Sequence, residues 1–144
     1  MRIAKRLAYQ RGVTQNLNIL GNVAFDQGKY EEAEKYLYEA LRMTQTIHAA
    51  PMILDILTGL AHVLAQEGKK ERAVELLAFP LNHAASKKET KDKAHHLFSQ
   101  LTPQLPRQII ETAEEKGKAG KLDELVAEIL KEKTGERLAL AYPR

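Results

Sequence analysis

Five histidines, two serines and one short glycine-rich stretch are the residues of this sequence best suited to chemistry. His95 and His96 are adjacent, so on a helix they point about 100° apart and cannot chelate one ion together. His48, His62 and His83 have no partner three or four residues further on, so no metal site is expected. Serine occurs only at Ser86 and Ser99, and neither lies in a nucleophile-elbow context. Gly117-Lys118-Ala119-Gly120 is too short for a phosphate-binding loop and follows no strand pattern. Glu111, Glu114 and Glu115 alternate with Lys116 and Lys118, the pattern of a solvated helix face rather than of paired catalytic carboxylates. The sequence therefore offers no catalytic residue, no cofactor site and no metal ligand set, and the chain is expected not to be an enzyme.

Composition narrows the classes further. The chain has 144 residues, 44% of them hydrophobic and 28% charged, which is ordinary for a globular fold. Cysteine is absent, which excludes disulfides, thiolate metal sites and a cysteine nucleophile. No apolar run approaches the ~20 residues that span a bilayer. Met1-Arg2-Ile3-Ala4-Lys5-Arg6 leads into no signal-peptide core, so a cytoplasmic location is expected. The net charge of +3 arises from 22 basic and 19 acidic residues, and Arg2, Lys5, Arg6 and Arg11 all precede the first acid, Asp26. With only three Phe and five Tyr, this is too sparse for a nucleic-acid footprint.

The elements that must position any binding residues are helices. Leu17, Leu20 and Ala24, then Ala33, Leu37, Ala40 and Leu41, recur at helical spacing, as do Leu57, Leu60, Ala61 and Leu64, and Ala73, Val74 and Leu77. Strand alternation and hairpin dipeptides are missing. The spacing predicts helices near 14–27, 30–47, 51–67, 70–85, 88–102, 104–118 and 121–133. Pro51 suits a helix start, Pro103 and Pro106 separate the fifth and sixth helices, and Pro80 should kink or end the fourth. A turn recurs between them. Gly28-Lys29-Tyr30-Glu31-Glu32-Ala33 is echoed by Gly68-Lys69-Lys70-Glu71-Arg72-Ala73 and more faintly by Gly120-Lys121-Leu122-Asp123-Glu124-Leu125. Glycine there lets a helix end in a left-handed residue, and the following acids favour the next helix N-terminus.

Leu17-x2-Leu20-Gly21-x2-Ala24, Gly28 and Ala33-x3-Leu37-x2-Ala40 form one copy of a pattern. Leu57-x2-Leu60-Ala61-x2-Leu64, Gly68 and Ala73-x3-Leu77 form a second, with Pro80 where a small residue would fall. Across about residues 14–84 the sequence resembles tetratricopeptide-repeat (TPR) proteins, with Leu17 where tryptophan is commonest. The period from Gly28 to Gly68 exceeds the family's ~34 residues, which implies longer helices. The tail, through Ala73-Val74-Glu75-Leu76-Leu77, Leu81-Asn82-His83, Glu89-Thr90-Lys91-Asp92-Lys93-Ala94, Leu105-Pro106 and Gly120 to Leu130, resembles the C-terminal sensor array of bacterial STAND-class signal-transduction ATPases, including relatives of the maltose-regulon activator. Those regulators carry a nucleotide-binding switch that this sequence lacks.

The resemblance implies an all-α, right-handed α-solenoid of TPR-type hairpins with a C-terminal helical cap. It divides the chain into 1–13, the tail of a preceding repeat helix; 14–50 and 51–86, two repeats; 87–133, degenerate capping helices; and 134–144, a flexible tail. It also implies that the first helix of each pair lines a concave wall. Carrying the register over gives Gln15, Asn18, Asn22, Phe25 and Asp26 from the first copy, and Asp55, Thr58, His62, Ala65 and Gln66 from the second. Amides that both donate and accept suit an extended peptide or a polar small ligand. Asn22 falls where some relatives clamp a peptide carboxylate, but Asn18 stands where their lysine would be, so carboxylate capture is not expected. The stripe Leu122, Leu125, Val126, Ile129 and Leu130 should close the solenoid against Ile109, Ile110 and Ala113. Ile3, Leu7 and Val13 form an edge with no preceding repeat to cover it.

The function expected from the resemblance is non-catalytic recognition at the sensor end of a larger signalling regulator. The partner would be a protein or peptide, a neighbouring domain of the same parent, or a small effector, with weak self-association through the exposed ends. Neither nucleic acid nor membrane is expected as a partner. A freestanding TPR adaptor is the alternative.

Overall fold

Gly28 and Gly68 adopt the left-handed backbone, with φ of 78° and 85°, and each turns one helix back upon the next. The hydrogen bonds at the two turns are the same. Lys29 N–H donates to Ala24 at 2.8 Å and Gly28 N–H to Phe25 at 2.9 Å; Lys69 N–H donates to Leu64 at 2.8 Å and Gly68 N–H to Ala65 at 3.1 Å. This closes the last carbonyls of the first helix, and Glu31, Glu32 and Glu71 then sit in the first turn of the next. The third echo behaves differently: Gly120, at φ −72° and ψ 150°, is extended and forms no such turn.

A computed structural model describes residues 2–141. Seven α-helices follow in order: α1 (Ile3–Asp26), α2 (Tyr30–Ile47), α3 (Ala50–Gln66), α4 (Lys70–Asn82), α5 (Lys88–Leu101), α6 (Arg107–Ala119) and α7 (Leu122–Ala141), with a 3-10 turn at Thr102–Gln104. Among the described residues there is no strand, and the fold is an all-α solenoid of TPR-type hairpins. Two boundaries depart from expectation. Residues 3–13, expected as the tail of a preceding repeat helix, and 14–26 belong to one unbroken helix, because Gly12 lowers helix propensity by only ~1 kcal/mol and no proline intervenes. The helix at 121–133 continues to Ala141 through Arg137, Leu138 and Ala139, all good helix formers; residues 142–144 of the expected tail lie outside the described residues. Pro80 lies in the last turn of α4, which ends two residues later at Asn82.

Pairing follows the small residues. A Cβ built on Gly21 of α1 would lie 2.7 Å from Leu37 Cγ, and one on Gly59 of α3 would lie 3.3 Å from Leu37 Cδ2. Leu37 of α2, fully buried, therefore fills a slot between α1 and α3 that only glycines leave open. The core continues through Leu41, Leu54, Leu57, Leu60, Val74 and Leu77. On α1 the buried positions are Thr14, Asn18, Gly21 and Ala24, whereas Leu17 is half-buried and Leu20 exposed.

The final helices fold back. α6 packs along α4 and α7 reaches α2, so both cover the outer helices of the hairpins. Gly117 permits this, since a Cβ there would meet Ala78 at 2.6 Å; the glycine-rich stretch is a packing contact. The stripe of α7 buries Leu125, Val126 and Ile129, chiefly towards α2 and α4 rather than against Ile109 and Ile110. Charged contacts pin the cover. Lys133 donates to Glu34, and Arg72 of α4 pairs with Glu75 at 2.7 Å, Glu132 at 3.0 Å and Glu128 at 3.4 Å. Burial pulls the Arg72 guanidinium down, but these carboxylates outweigh it and hold it above its ordinary value. Burial also pushes the Glu34 carboxyl up. Hydrogen bonds from Lys133 and Glu67, with the charges of Lys133 and Lys69, bring it below its ordinary 4.5. Glu67 is raised by its own burial and by sharing a hydrogen bond with Glu34.

Gly21→Ala should lower stability by about 1–3 kcal/mol through overpacking against Leu37. Gly12→Ala, whose Cβ meets nothing within 4 Å, should instead raise it by about 0.5–1 kcal/mol; chemical denaturation reads both. The raised Glu67 carboxyl binds its proton more tightly folded than unfolded. Its contribution to stability is thus present below the ordinary 4.5 and lost as pH rises through the folded value. Glu67→Gln keeps a donor for Glu34 and removes that titration. Its denaturation midpoint should exceed that of the parent at neutral pH, with the difference disappearing below 4.5.

Candidate functional site

The inner face of the array is built from α1, α3 and α5, the first helices of successive turns. At its centre Asp55 of α3 accepts a hydrogen bond from Asn18 Nδ2 of α1 at 2.7 Å on one oxygen, and from Thr90 Oγ1 of α5 at 3.2 Å on the other. One carboxylate thus straps three helices together. Asn22 Nδ2 donates back to the Asn18 carbonyl at 2.9 Å and to its Oδ1 at 3.2 Å, so the Asn18 amide is held from both sides. Asn18 and Thr90 are each 2% exposed, and a strap between such donors needs no long side chain.

Above this floor runs a trough in two parts. The first, about 250 Å³, lies between Asn22, Phe25, Asp26, Asp55, His62 and Lys93. The second, about 380 Å³, lies between Arg11, Gln15, Asp55, Lys87, Glu89 and Lys93. Asp55 and Lys93 border both. His62 Nδ1 lies 2.9 Å from the Thr58 carbonyl; because a carbonyl only accepts, Nδ1 carries the hydrogen, and in the neutral ring Nε2 is an acceptor. The ring stands edge-on to Phe25 at 5.8 Å and 73°, and Phe25 in turn meets Tyr30 at 5.3 Å. Arg11, Lys87 and Lys93 enter none of the ion pairs found among the described residues, so their charges face the trough's solvent.

Six of the residues expected to face a groove do so: Gln15, Asn22, Phe25, Asp26, Asp55 and His62 all line this trough. Asn18 does not, since it is buried beneath the trough as a strap donor. Thr58 borders the smaller part but is 2% exposed, and its hydroxyl is taken by the Leu54 carbonyl at 2.9 Å. Gln66 is exposed at the end of α3 and borders neither part. The α5 wall, with Lys87, Glu89, Thr90 and Lys93, had not been assigned to the groove. The signal for it was the apolar spacing of Ala94, Leu97 and Leu101, which gives α5 a buried face like that of α1 and α3.

No group of three or more His, Cys, Asp or Glu among the described residues is placed to hold a metal ion. No described helix is long and apolar enough to cross a membrane. A separate cavity of about 300 Å³ lies on the opposite side, where Arg72, Lys116 and Lys121 are balanced by Glu75, Glu124 and Glu128.

With this geometry in hand, comparison with known proteins gives one family. A model described as tetratricopeptide repeat matches residues 12–78, from within α1 through α2 and α3 into α4. No curated protein and no solved structure matches the chain. Tetratricopeptide repeats generally mediate protein–protein interaction, and their fold is a scaffold for it.

Asp55→Ala should leave the Asn18 amide buried without its acceptor and cost about 1–3 kcal/mol in chemical denaturation. Thr90→Val should cost about 1 kcal/mol or less, because the Oδ1 it abandons borders the trough and can take water.

Proposed function

We propose that the trough across α1, α3 and α5 receives a polypeptide segment of a partner protein, and that the chain's role is recognition without catalysis. The observation that carries this reading is a polar trough with unspent hydrogen-bonding capacity above a floor whose own polar groups are already satisfied. Asn22 Oδ1, His62 Nε2, Gln15 and the three cations Arg11, Lys87 and Lys93 are available to a guest, and Phe25 offers an apolar edge. In the larger part Arg11, Lys87 and Lys93 outnumber Asp55 and Glu89, which favours a guest carboxylate there, whereas Asp26 and Asp55 give the smaller part the opposite sign.

The similarity of residues 73–130 to the sensor arrays of STAND-class regulators supports placing the trough at the sensing end of a larger bacterial signalling ATPase that controls transcription. There the guest would be an effector or a neighbouring domain. The alternative is a freestanding cytoplasmic adaptor. An upstream Gly-x-x-x-x-Gly-Lys-[Ser/Thr] loop in the parent reading frame supports the first, and its absence favours the second.

The trough is tested with an arrayed random-peptide library. Acidic peptides should bind the parent chain, and Lys93→Glu should weaken binding about tenfold or more. Lys131→Glu, exposed on α7, should leave it unchanged. Equal peptide binding by the Lys93 and Lys131 variants rejects the trough as the site.

A further inference from the structure

The large apolar side chains exposed among the described residues all lie on one helix, α1: Ile3, Leu7, Tyr9, Ile19, Leu20 and Val23. Tyr9 is 67% exposed, Ile19 49%, and Leu20 and Val23 45% each. A run of large apolar side chains left exposed on one element marks a surface that a partner covers. α2 and α3 cover one face through Thr14, Asn18, Gly21 and Ala24, and the opposite face is open.

That open face has an internal order. Arg2, Lys5, Tyr9, Gly12, Asn16, Ile19 and Val23 follow one another at alternating steps of three and four, the spacing of a helix–helix seam. Gly12 lies at its middle, and a Cβ placed there meets nothing within 4 Å, so the face is unobstructed. Charge is divided between the ends. Arg2, Lys5 and Arg6 stand at the start, with no acid before Asp26; Asp26 stands at the far end, followed by Glu31 and Glu32 in the first turn of α2.

We propose that this face docks a second copy of the chain, α1 against α1 in antiparallel register. A two-fold pairing sets Gly12 opposite Asn16 of the second copy, Tyr9 opposite Ile19, Lys5 opposite Val23 and Arg2 opposite Asp26. Each pairing occurs twice. A small residue then faces the bulkier amide, the aromatic faces an aliphatic, and each basic start meets an acidic end. Parallel pairing fails on the same facts, because it sets cation against cation and Gly12 against Gly12. A shift of one heptad either way sets Asn16 opposite Ile19 or Lys5 and takes it off Gly12, so the Gly12–Asn16 match favours this register. The trough lies mainly on a neighbouring side of α1, lined by Arg11, Gln15 and Asn22, and shares with the seam only Asp26 at its rim.

Sedimentation velocity of the whole chain over a concentration series tests the pairing. A monomer–dimer equilibrium that weakens with salt is expected. Ile19→Lys should raise the dissociation constant about a hundredfold, because each dimer loses two buried isoleucines. Gly12→Leu should also abolish the dimer while leaving the melting temperature of the monomer no lower. A chain that stays monomeric at every concentration, or two variants that dimerise like the parent, would overturn the proposal. Register is read in the cysteine-free background by mixing Gly12→Cys and Asn16→Cys chains under mild oxidation. The mixed 12–16 disulfide should predominate, whereas predominance of 12–12 and 16–16 links would reject the antiparallel arrangement.

Discussion

Leu37 sets the spacing of the whole array. Its side chain is fully buried between Gly21 of α1 and Gly59 of α3, and a methyl group added to either glycine would press on it. Two inner helices are thereby drawn onto one residue of the outer helix between them. The approach rotates α1 so that Thr14, Asn18 and Gly21 face inward, and this is why polar residues occupy its buried face. They are tolerated there because each is satisfied: Thr14 Oγ1 donates to the Gln10 carbonyl at 2.7 Å, and Asn18 donates to Asp55.

The same close approach produces the functional surface. With α1 and α3 held this near, the short Asn18 and Asp55 side chains meet, and Asp55 has an oxygen left for Thr90 of α5. The polar groups of the floor are consumed among themselves, and what remains unspent stands on the walls of the trough. Recognition and stability are thus assigned to different residues of the same helices. On the convex side α6 and α7 shield the outer helices, held by the Arg72 and Glu34 ion pairs as well as by Leu125, Val126 and Ile129. This leaves α1 as the one element with a broad uncovered apolar face among the described residues.

Much of the fold was legible before any coordinates. The helical periods of Ala33, Leu37, Ala40 and Leu41, and of Leu57, Leu60, Ala61 and Leu64, mark buried faces that are buried in fact. The candidate site was legible in part. Gln15, Asn22, Phe25, Asp26, Asp55 and His62 border one trough because they share a helix face that the repeat register identifies. Asn18 and Thr58 share nearly the same face but lie a fraction of a turn deeper, and a register counted in whole residues does not resolve that difference. The spacing of Ala94, Leu97 and Leu101 marks a buried face on α5, but that this face continues the wall of the trough follows only from how far the array runs past the second repeat.

What the sequence by itself determined is local. Left-handed glycines at 28 and 68 with acids one turn on dictate two hairpins, because backbone sterics and helix-end charge act over a few residues. What only the tertiary structure decided is the joining of distant segments. The return of α7 to α2, the strap from Asn18 through Asp55 to Thr90, and the bare outer side of α1 each involve residues far apart in the chain. Their contact depends on helix rotation and interaxial distance, and those are set by the sum of packing across the core rather than by any one stretch of sequence.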